Sequence, residues 1–163
     1  MKNAMTGAVL FMAAFLAFGV VTGFQPRGPA RAGVALWSVR DPTTAVIIVD
    51  HGSRKAEAND MLLSVALSYK KLSNVQIVEA AHMEMASPSI ADAYQRCVAQ
   101  GAKHIICHPF FLSPGRHVQE DIPSLMREAS LQHPGVTYAI TAPLGVQDGV
   151  VDIIAKAVDK TAG

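Results

Sequence analysis

The chain has 163 residues, half of them hydrophobic and 17% charged, with a formal net charge of +1. Such a composition supports one folded domain with its own core and excludes a disordered chain. Charge is unevenly placed: Lys2, Arg27, Arg31 and Arg40 precede the first acid, Asp41, whereas from Thr44 onward acids outnumber bases. A mildly acidic body has no electrostatic footprint for nucleic acid, and no such partner is expected.

The chain opens with Lys2 and then an almost wholly apolar run from Ala8 to Val21. A membrane-spanning helix needs about 20 apolar residues, so this run has the length of a signal-peptide core, with a retained anchor as the alternative. Val21 and Gly23 are small enough for a signal-peptidase site. Phe24 follows directly, and Arg27–Arg40 is basic, acid-free and rich in Gly, Pro and Ala, as transit peptides are. The pair resembles the two-part leaders of algae with secondary plastids. Residues 1–23 are therefore read as a signal-like segment, 24–43 as a transit-like segment, and 44–163 as the folded domain. The implied address is the plastid stroma, with no membrane attachment of the mature form.

Within the body, strand and helix patterns alternate. Ala45–Val49 is a β-branched run ending at Asp50-His51-Gly52-Ser53. Lys55–Leu72 carries Ala58, Met61, Leu62, Val65 and Tyr69 at helical spacing. Val75–Ala81 reads as the second strand. Ser87-Pro88 reads as a helix start, followed by the stripe Ile90, Ala93, Tyr94, Cys97 and Val98 and a stop at Gly101. His104–His108 is the third strand, and a third helix lies within Gln119–Leu131 with Leu125, Met126 and Ala129 inward. Val136–Thr141 is the fourth strand, and the last helix aligns Val150, Ile153, Ile154, Ala157 and Val158 on one face. The alternation predicts an α/β domain with a four-stranded, mainly parallel sheet flanked by helices. Cys97 and Cys107 fall on a helix face and in a strand, so both are read as core thiols rather than ligands.

Ligands of such sheets bind beyond the carboxyl ends of the strands. Three polar segments follow strands one to three: Asp50-His51-Gly52-Ser53-Arg54, His82-Met83-Glu84, and Ser113-Pro114-Gly115-Arg116-His117. Taken singly, His51 and His117 are equally well explained as loop or helix-start histidines, and Glu84 as a solvated carboxylate. Brought together, two imidazoles and a carboxylate suit either a divalent ion such as Fe²⁺, Co²⁺ or Ni²⁺, or acid–base work. His82, His104, His108 and His133 are read as structural. Arg54, Lys55 and Arg116 are candidate contacts for carboxylates. Phe110, Phe111 and Leu112 are candidates for an apolar pocket wall or for core packing.

Three blocks in order resemble one family: Asp50-His51-Gly52-Ser53-Arg54; Glu79, Glu84 and Pro88-Ser89-Ile90; and Pro109-Phe110-Phe111-Leu112 with Gly115-Arg116-His117 and Asp121-Ile122-Pro123. The family is the class II chelatases, small cobaltochelatases and sirohydrochlorin ferrochelatases, here in single-half form. The resemblance runs from about Thr44 to Lys160. It implies a chelatase-like half domain that inserts Fe²⁺ into sirohydrochlorin to form siroheme, with cobalt or nickel insertion, or a non-catalytic tetrapyrrole or metal carrier, as alternatives. It implies His51 and His117 as the metal-holding pair and Glu84 as their acidic catalytic partner, while Arg54, Arg116 and Phe111 stay candidate substrate contacts on their side-chain chemistry. The divalent ion is then a substrate and no permanent cofactor is expected. Larger members look like two such halves in one chain, so a homodimer is expected here.

Overall fold

A computed structural model describes residues 39–163. The signal-like segment and most of the transit-like segment lie outside these residues. The described chain runs β1 (Thr44–Asp50), α1 (Ala56–Ser73), β2 (Ile77–His82), α2 (Ile90–Ala99), β3 (His104–Pro109), a π-helical turn (His117–Asp121), α3 (Ile122–Leu131), β4 (Thr137–Ile140), a 3₁₀ turn (Leu144–Val146) and α4 (Gly149–Ala162). The strands form one sheet in the order β2-β1-β3-β4, every neighbouring pair parallel. The expected α/β architecture is present, and among the described residues no helix is long and apolar enough to cross a membrane.

β1 is central and buried along nearly its whole length, which is why it reads as an unbroken β-branched run rather than an alternating one. Ala45, Ile47 and Val49 point to one side, where Ile105 and Cys107 of β3 join Tyr94 and Cys97 of α2 and Ile122 and Met126 of α3. Val46 and Ile48 point to the other side and meet Leu62 and Ala66 of α1. Full burial of a side chain such as Ile47 or Met126 contributes about 1.5–3 kcal/mol. Both cysteines are buried, and desolvation pushes each thiol up to about 12, so both are inert core residues. Burial likewise pushes the Tyr94 phenol up to about 12.

Four local expectations need correction. α2 is capped by Ser89, not Ser87: the Ser89 hydroxyl accepts the Asp92 N–H at 3.2 Å, and the Asp92 carboxylate accepts the Ser89 N–H at 2.9 Å. That reciprocal pair satisfies two otherwise orphaned donors and holds the Asp92 carboxyl below its usual range. Pro88 belongs to the approach instead, its carbonyl accepting the His82 N–H at 2.8 Å. β2 begins at Ile77, two residues later than read. The buried line of α1 is Leu62 and Ala66 with Val65 and Tyr69 beside it, and Met61 is 53% exposed.

The fourth correction is the largest. The apolar face of α4 does not lie on the sheet: Val151, Ile153, Ile154 and Val158 are exposed, and no residue of the helix is buried. α4 packs chiefly against the 3₁₀ turn before it, while α1 lies mainly on β1 and β2.

Candidate functional site

The parallel sheet delivers β1, β2 and β3 to the same edge, and the three polar segments converge there. The first two continue the strand pairing past the strands themselves. The Met83 N–H donates to the Asp50 carbonyl at 2.8 Å and the Glu84 N–H to the His51 carbonyl at 3.1 Å. Gly52 makes this possible. Its φ of +84° turns the chain away, and a Cβ there would lie 2.1 Å from the Glu84 carbonyl oxygen.

The three sequence-derived residues meet. The His51 Nε2 lies 2.9 Å from Glu84 Oε1. The rings of His51 and His117 stand edge to face with centroids 5.1 Å apart. All three side chains are partly exposed, between 38% and 51%, so solvent and ligand reach them. His117 sits beside a cleft of about 410 Å³, lined by Met83, Glu84, Arg116 and Asp121, with Ser124 and Leu125 of α3. His51 also lies 3.3 Å through Nδ1 from the Gly52 carbonyl, and His117 lies 2.7 Å through Nδ1 from Asp121 Oδ2. Among the described residues no group of three or more His, Cys, Asp or Glu forms a ready-made metal cage.

Other expected contacts are less concentrated. Arg116 lines the cleft, with Nη2 3.6 Å from Asp121. Arg54 is exposed and is not among the residues lining the cleft. Phe111 packs against the core on the α2 and α3 side, and Leu112 beside it is 75% exposed. The remaining histidines have structural partners. His104 pairs with the Thr137 hydroxyl and His108 with that of Thr141 at 2.7 Å, and burial lowers the His108 pKa. His133 stacks on Tyr94 with centroids 5.5 Å apart.

One pair escaped sequence reasoning. His82, 1% exposed, places Nδ1 2.6 Å from Asp50 Oδ1, and the same oxygen accepts the Gly52 N–H at 2.9 Å. This part-buried pair ties the end of β1 to the end of β2, at the strand ends from which His51 and Glu84 follow. Asp50 and His82 become opposite residues only through the parallel register, which no local pattern reveals. The His117–Asp121 contact did carry a signal, since four-residue spacing stacks side chains on a helical turn.

A family model described as CbiX matches residues 45–161, nearly all of the described domain. The chain belongs to the CbiX family. Within and around that family, the chain is 50% identical over 109 residues to "Sirohydrochlorin ferrochelatase, chloroplastic" of Arabidopsis thaliana, a match covering 67% of this chain and 48% of that protein. It is 28% identical to "Sirohydrochlorin cobaltochelatase" of Methanococcus maripaludis, over 68% of this chain and 94% of that shorter relative. Among solved structures, SirB from Bacillus subtilis with Fe³⁺ superposes with a TM-score of 0.66 at 28% identity, covering 70% of this chain and 45% of that one. This CbiX-family chain spans about half the length of the first curated relatives it matches. The class II chelatase resemblance and its half-domain fold are therefore borne out.

Proposed function

We propose that this protein inserts Fe²⁺ into sirohydrochlorin, releasing two protons and forming siroheme. The observation that carries the reading is the convergence of His51, His117 and Glu84 at one sheet edge, with His51 Nε2 2.9 Å from the carboxylate. Insertion requires donors that replace water around the ion and then release it, and a base for the two pyrrole protons. Imidazole is a borderline donor suited to Fe²⁺, Co²⁺ and Ni²⁺. His51 and His117 present two of them across 5.1 Å, and Glu84 is the nearby proton acceptor. Arg116 at the cleft and the exposed Arg54 are the cations offered to the carboxylates of the macrocycle, and Phe111, partly packed in the core, is the aromatic proposed for its apolar wall. The metal is a substrate, and the reading invokes no resident cofactor.

Iron is chosen over cobalt because the plant relative is named a ferrochelatase at 50% identity, against 28% for the archaeal cobaltochelatase. Mixing the protein anaerobically with sirohydrochlorin and Fe²⁺, and in parallel with Co²⁺ and Ni²⁺, tests both points. The expected result is catalytic conversion to the siroheme absorption spectrum, fastest with iron. Faster conversion with cobalt or nickel would transfer the assignment to that metal. Tetrapyrrole binding without turnover on any metal would make the protein a carrier.

The same reading includes a homodimer. The apolar stripe Val151, Ile153, Ile154 and Val158 of α4 is exposed and offers a surface for it. An isolated 14-residue amphipathic helix gains little stability without a packing partner. A second copy would offer this stripe a bed and receive the same in return. Light scattering on residues 39–163 should give the mass of two chains, and Ile154→Asp should give one. A monomeric parent protein with full activity would refute the dimer.

The plastid stroma is the proposed site of action, supported by the two-part leader and by the chloroplastic name of the plant relative. A fluorescent fusion carrying Phe24→Ala should be stranded outside the stroma, and unchanged delivery would remove Phe24 from the signal.

A further inference from the structure

His117 owes its position to an irregular turn. Residues His117–Asp121 form a single π-helical turn running straight into α3, with the Ile122 N–H reaching back to the His117 carbonyl. Such turns are rare and concentrate at functional sites. Here the turn sets the Asp121 carboxylate against the imidazole, with Oδ2 2.7 Å from Nδ1. The anionic oxygen is an acceptor only, so Nδ1 carries the proton and Nε2 keeps its lone pair. Asp121 itself borders the cleft and also faces Arg116 Nη2 at 3.6 Å.

We infer that Asp121 is a positioning residue for His117, fixing its tautomer and ring orientation so that Nε2 is the metal-delivering atom. The inference rests on the proposed role of His117 in metal handling. A carboxylate behind a ligating imidazole raises the basicity of the ligand and stops the ring from turning, and losing it typically costs 10- to 100-fold in metal affinity or activity. The rest of the turn is held independently by the buried side chains of Val118 and Ile122, so the carboxylate can be removed without unseating it.

The test uses an untagged protein titrated calorimetrically with Co²⁺ alone, alongside turnover with Fe²⁺ and sirohydrochlorin. Asp121→Ala should weaken Co²⁺ binding about 10- to 100-fold and lower kcat by a similar factor, with the KM for the tetrapyrrole unchanged. Asp121→Asn keeps the shape but carries no charge and can turn an NH₂ donor toward Nδ1, so both defects should largely persist at an unchanged melting temperature. A merely structural carboxylate would lower the melting temperature and leave Co²⁺ affinity where it was. Wild-type Co²⁺ affinity in Asp121→Ala, with His117→Ala still weakened, would overturn the positioning role alone. Wild-type affinity in His117→Ala would overturn the underlying metal role of that histidine.

Discussion

Replacing either His51 or His117 with alanine should reduce iron insertion by about 10²-fold or more while the fold survives. Both side chains are partly exposed at 40% and 38%, and neither belongs to a core cluster, so truncation opens no buried cavity. What each variant loses is one of two imidazoles standing 5.1 Å apart, and with it half of the donor set that strips water from the ion. Circular dichroism should be unchanged and the melting temperature should move little. Glu84→Gln separates holding the metal from accepting the protons. A glutamine preserves a polar contact to His51 Nε2 but takes up no proton, so kcat should fall with little change in tetrapyrrole affinity. Near-normal turnover in either histidine variant would remove that residue from the mechanism. A Glu84→Gln defect confined to tetrapyrrole binding would turn the carboxylate into a substrate contact.

Gly52→Ala should damage stability and activity together. The residue sits at φ +84°, where an L side chain costs about 1–2 kcal/mol in backbone strain alone. The new methyl would also stand 2.1 Å from the Glu84 carbonyl oxygen and 3.1 Å from the His82 Cβ. Neither neighbour yields easily. The Glu84 backbone is bonded to the His51 carbonyl, and the His82 ring is buried against Asp50. The strand-end loops must separate, which pulls Glu84 from His51 and strains the Asp50–His82 pair. A destabilisation of about 2–4 kcal/mol is expected, with loss of most turnover. Gly101 supplies the control: its φ is +95°, yet a Cβ there meets nothing within 4 Å, so Gly101→Ala should show the strain without the loss of activity. Thermal melts and turnover on the two variants decide the matter. A Gly52→Ala protein with wild-type melting temperature and activity would show that the two loops do not depend on their close approach.

Much of this arrangement was legible in the residues because it depends on local chemistry. The β-branched run at Ala45–Val49 declares a buried strand, and Ile90, Ala93, Tyr94 and Cys97 declare a helix with one inward face, since period two and period 3.6 are properties of the chain itself. Once strands and helices alternate, a parallel sheet follows, and with it the edge at which His51, Glu84 and His117 gather. Tertiary structure decided what depends on neighbours distant in sequence. Asp50 and His82 are separated by 32 positions and meet only because β1 and β2 pair in parallel at that register. Gly52 looks like any loop glycine until the Glu84 carbonyl arrives beneath it. The stripe on α4 shows from sequence that the helix has something to bury, but periodicity names no partner, and the described domain leaves the stripe in solvent. Burial is a property of the assembled surfaces, so only the assembled structure could show which apolar faces were covered and which were left open.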